Sequence, residues 1–70
     1  MSAPQAADHL RRAITALETA HDEIRKAGAC YPDPEALAVF TSTRNNVALC
    51  RGYAMALEVI ARAWVEGEAA

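Results

Sequence analysis

The residues in this chain with chemistry to offer are two cysteines, two histidines and one dense polar stretch. Cys30 and Cys50 lack the companion cysteines or spaced histidines that a zinc site or a disulfide framework requires. His9 and His21 are twelve positions apart, which separates them by about 120° on a helix and keeps them off a common metal. The segment His21-Asp22-Glu23 lacks the second histidine of a zinc-protease helix. His21 lies at the edge of an apolar stripe and reads first as a partly buried structural residue. No metal, cofactor or catalytic constellation is expected, and the chain is not expected to be an enzyme.

The polar stretch is the better candidate. Thr43, Arg44, Asn45 and Asn46 sit together, and Arg51, seven residues beyond Arg44, continues the same face. In an antiparallel hairpin this stretch lies beside His21 and Arg25. Several donors with two arginines suit an anion, a nucleotide or an acidic segment of a partner. A solvated face with a local helix irregularity would read the same way.

Two long helices must position these residues. Helix 1 is expected over about 3–27. Ser2 followed by Gln5 has the pattern of a capping box, and Pro4 sits in the first turn, where its missing N–H costs nothing. Arg25 and Lys26 suit the last turn, and Gly28 is expected as a left-handed cap. Ala6, Leu10, Ala13, Leu17, Ala20, Ile24 and Ala27 recur at three-then-four spacing, small alternating with large. Ala7, Ile14 and His21 widen that stripe.

A turn over 28–33 follows, with Asp33 as N-cap and Pro34 as first residue of a helix over about 34–66. Its expected seam is Phe40, Thr43, Val47, Cys50, Ala54, Leu57, Ala61 and Trp64, flanked by Val39, Tyr53 and Ile60. Cys50 on that seam behaves as a small hydrophobe, about 25 Å from Cys30 in the turn and beyond bridging distance. The polar run 41–46 invites a kink, but the seam keeps its phase on both sides, so a continuous helix is expected. The tail 67–70 is expected to fray. Asp8 is placed to pair with Arg11 or Arg12, Asp22 with Lys26, and Glu58 with Arg62.

Composition bounds the rest. Seventeen of the seventy residues are alanine and only four are aromatic, which favours closely approaching helices over a thick core. A chain this short expects help from association. The fold class read here is all-α, a single hairpin domain over 1–70 that assembles into a four-helix bundle, a homodimer being favoured. Leu10, Leu17, Ile24, Phe40, Val47, Tyr53, Leu57, Ile60 and Trp64 are the expected oligomer seam. A net charge of −2 argues against a nucleic-acid or anionic-membrane partner. No signal peptide or spanning helix is visible, and a cytoplasmic protein with reduced thiols is expected. The function expected is a non-enzymatic interaction protein that oligomerises and binds another macromolecule, in the manner of a stoichiometric inhibitor. The alternative is a sequestering protein of the kind found in phages and mobile elements, holding an anionic small molecule or nucleotide at Thr43, Arg44, Asn46 and Arg51.

Overall fold

The computed structural model describes residues 3–69; Ser2, the expected N-cap, and Ala70 lie outside them. Two helices, α1 (Ala3–Cys30) and α2 (Leu37–Ala69), form an antiparallel hairpin, with a short 3₁₀ turn at Pro34–Ala36 between them. The chain is all-α.

Proline sets the hairpin end. Pro32 bars Tyr31 from the helical region, so α1 stops at Cys30. Asp33, itself before a proline, is extended at φ −93° and ψ 109°, and its carboxylate accepts from the Glu35 N–H at 3.0 Å. This is the expected N-cap. The ring of Tyr31 lies 5.5 Å from that of Phe40 and covers the turn.

Gly28 does not cap α1. It is helical, and no described residue has positive φ. Its role is close approach: a Cβ built there would stand 3.2 Å from Cγ of Phe40. The missing side chain makes room for the ring.

The polar run does not break α2, which continues from Leu37 to Ala69. The Thr43 hydroxyl donates to the Val39 carbonyl at 2.8 Å, so it is satisfied by its own helix. Thr15 and Thr19 do the same on α1. The helix runs past Gly67 to Ala69, beyond the end expected near 66.

Three contacts fix the register: Gly28 with Phe40, Glu18 with Arg51, and Arg11 with Glu58. On α1 the row facing α2 is Ala7, Leu10, Ile14, Leu17, His21, Ile24 and Gly28, with Ala7 and Ile14 fully buried. The expected seam there is displaced, because the Ala7 and Ile14 row is central and Ala27 is exposed. On α2 the facing rows are Phe40, Val47, Ala54 and Ala61 with Arg44, Arg51, Glu58 and Val65. Thr43, Cys50, Leu57 and Trp64, expected in this seam, are exposed. The apolar arc of α2 is wider than one neighbouring helix can cover, and the charged pairs draw Arg51 and Glu58 onto the covered side.

The resulting core is thin. Only Ala7, Ile14 and Ala54 are buried hydrophobes among the described residues. The radius of gyration is 16.1 Å, against about 11 Å for a compact domain of this length. The accessible surface is 5131 Å², against about 4,200 Å² for a compact monomer of this mass.

Two glycine substitutions should therefore act in opposite directions. Nothing lies within 4 Å of a Cβ on Gly52, so Gly52→Ala should stabilise the helix by up to ~1 kcal/mol. Gly28→Val should lower stability through its clash with Phe40. Urea denaturation followed by circular dichroism checks both, and a stabilised Gly28→Val would contradict the packing described.

Candidate functional site

The hairpin has two unlike flanks. One is charged: Arg11 Nη1 meets Glu58 Oε1 at 3.3 Å, and Arg51 Nε meets Glu18 Oε1 at 3.1 Å, both across the two helices. Arg62 joins Glu58 at 3.4 Å. Arg25 and Lys26 hold Asp22 at 2.9 and 3.0 Å. The expected Asp22–Lys26 and Glu58–Arg62 pairs are present, whereas Arg11 turns to Glu58 rather than to Asp8. Arg44 lies on this flank, beside Arg25 and Phe40 in a shallow groove, with no ion-pair partner among the described residues.

The opposite flank is apolar. On α2 it carries Val39, Thr43, Cys50, Tyr53, Leu57, Ile60 and Trp64 at three-then-four spacing, interrupted by Asn46. Tyr53, Ile60 and Trp64 are 63–64% exposed. Beside them on α1 stand Ala6, Leu10, Ala13, Leu17, Ala20 and Ile24, half-buried against α2. At the turn the two rows meet in a groove lined by Ile24, Tyr31, Ala36, Val39, Phe40 and Thr43.

The polar cluster is divided between these flanks. Arg44 and Asn46 are two residues apart, so their side chains leave α2 about 160° from each other. Arg44 and Arg51 edge the charged flank, Thr43 and Asn46 the apolar one, and Asn45 points outward. Arg51 is occupied by Glu18, and the Thr43 hydroxyl proton by Val39. Within one hairpin the donors do not converge. His21 is half-buried and borders a groove with Leu17, Glu18, Val47 and Arg51.

Cys30 and Cys50 are exposed free thiols, which displaces Cys50 from its expected seam. No group of three metal-ligating side chains occurs among the described residues. No described helix is long and apolar enough to cross a membrane. Sequence reasoning missed the Glu18–Arg51 and Arg11–Glu58 pairs. The signal was present, since both pairs fall at one antiparallel register once the helices are laid side by side.

Hydrogen bonds from Arg25 and then Lys26 hold the Asp22 carboxyl below its ordinary value, and Asp22 in turn raises Lys26. A lowered carboxyl favours the folded state above its unfolded value, and that contribution is lost as pH falls through the folded value. The Asp22 side-chain carbon resonance should thus titrate below the ordinary aspartate value. Arg25→Ala should move the midpoint upward. An unmoved midpoint would show the pair to be absent in solution. The cross-hairpin pairs are partly exposed and contribute on the order of 0–1 kcal/mol each.

No protein-family model matches the chain, and no curated protein or solved structure matches it either.

Proposed function

We propose that this chain is a non-enzymatic interaction protein: two hairpins associate through their apolar flanks into a four-helix bundle, and the charged flanks stay outward to meet another macromolecule. Such a protein acts by occupancy, as a stoichiometric inhibitor does, rather than by turnover. The observation that carries this reading is the row from Cys50 to Trp64, unbroken beyond Asn46, whose large side chains Tyr53, Leu57, Ile60 and Trp64 are more than half exposed. A contiguous apolar patch of that length marks an association surface.

Shape supports the reading: the hairpin is long and thin, 56 by 14 by 14 Å, so a second hairpin has a full-length face to lie along. A two-helix layer with one apolar face closes most simply against its own copy. The anion-binding alternative is supported less, because the donors it needs leave α2 in different directions.

Light scattering at micromolar concentration should give twice the 7.5 kDa chain mass. Tyr53→Ser with Ile60→Ser should return the mass to that of one chain. Trp64 is the only tryptophan, so its emission should shift to the blue as concentration rises through the association range. A well-folded monomer at all concentrations would overturn the proposal.

A further inference from the structure

We infer that the second copy packs antiparallel, α1 on α1 and α2 on α2, about a two-fold axis that crosses the hairpin level with Thr15 and with the Tyr53–Ala54 step. This rests on the association proposed above and specifies its geometry. Side-chain size along the half-buried row of α1 and the exposed row of α2 locates it: the first admits an axis every three to four residues, and the second selects among them.

On α1 the row alternates small and large: Ala6, Leu10, Ala13, Leu17, Ala20, Ile24. Facing rows pack best when large meets small. Turned about an axis at Thr15, Leu10 comes level with Ala20 of the second copy and Leu17 with Ala13. Ile24 likewise meets Ala6, and no large residue faces another.

On α2 the stripe at seven-residue spacing within the row is graded rather than alternating. Thr43 and Cys50 are small, whereas Leu57 and Trp64 are large. A parallel pairing would set Trp64 on Trp64 and Thr43 on Thr43. Antiparallel pairing about the Tyr53–Ala54 step sets Trp64 over Thr43 and Leu57 over Cys50. Tyr53 then lies beside the axis.

The position selected by α2 coincides, through the hairpin register, with one that α1 admits. Glu18 faces Arg51 and Arg11 faces Glu58, which brings Thr15 level with Ala54. One axis satisfies both rows. It also passes close to the midpoint of α2, so Leu37–Ala69 of each copy overlaps along its whole length.

Disulfide trapping tests this. One chain carries Cys30→Ser and keeps Cys50; the other carries Cys30→Ser, Cys50→Ser and Leu57→Cys. In the inferred geometry Cys50 lies level with position 57 of the second copy, whereas like positions are offset by seven residues, about 10 Å along the helix. Each chain oxidised alone with diamide should stay uncrosslinked, and a covalent dimer should appear when the two are co-folded and oxidised together. A second pair, Leu10→Cys and Ala20→Cys in a Cys30→Ser, Cys50→Ser background, reads α1 in the same way. It decides the question if Leu57→Cys weakens association, which the mass of the reduced mixture reports. Crosslinking of either chain alone would overturn the geometry, as would uncrosslinked mixtures that scatter as dimers. A monomer mass for the unsubstituted protein would instead overturn the association itself.

Discussion

A helix can be covered by one straight neighbour only across a limited arc, and α2 is apolar across a wider one. The rest of the structure depends on that mismatch. Phe40, Val47, Ala54 and Ala61 are turned toward α1, and the row beginning at Val39 is then necessarily turned away. Ten large hydrophobes are exposed among the described residues, and five of them, Val39, Tyr53, Leu57, Ile60 and Trp64, lie on that row. Their exposure follows from geometry, because no rotation of α2 about its axis hides both rows against a single partner.

Small residues make the covered seam close. Ala7, Ala54 and Gly28 place little between the helix backbones, and Phe40 occupies the space a side chain at position 28 would fill. Close packing of small groups gains contact but buries modest area, about 25 cal/mol for each Å² removed from water. The long stems of Arg51 and Glu58 cover the seam edge while their charged ends pair in solvent. These pairs fix register more than they stabilise. A hairpin with three buried hydrophobes among its described residues leaves much of its apolar surface in contact with solvent.

The helices, the Asp33 cap and the continuity of α2 were legible in the sequence because each rests on local rules. Proline positions, the capping carboxylate and a constant apolar phase act within a few residues. The seam was not legible to the same degree. Three-then-four spacing identifies an apolar arc, but two adjacent rows on α2 share that spacing, and only the partner helix decides which is covered. The rows through Phe40 and through Leu57 therefore appeared as one seam. Gly28 misled for a related reason: a glycine near a helix end reads as a cap unless the ring that approaches it is known. The polar cluster was read from proximity in sequence. Neighbours such as Arg44 and Asn46 look like one site in a string and point apart on a helix.

The two flanks assign different fates to these side chains. If the apolar flanks close on each other about an axis near Tyr53, each charged flank becomes an outer face, and the two outer faces point in opposite directions. Arg44 lies toward the turn end of α2, well away from that axis, so the antiparallel pairing carries the two Arg44 side chains to opposite ends as well as opposite faces. An anion held jointly by both copies has no place in such an assembly. What the charged flank carries at that end is the Arg44 guanidinium, in no ion pair among the described residues, beside Arg25, the exposed Leu37 and Phe40.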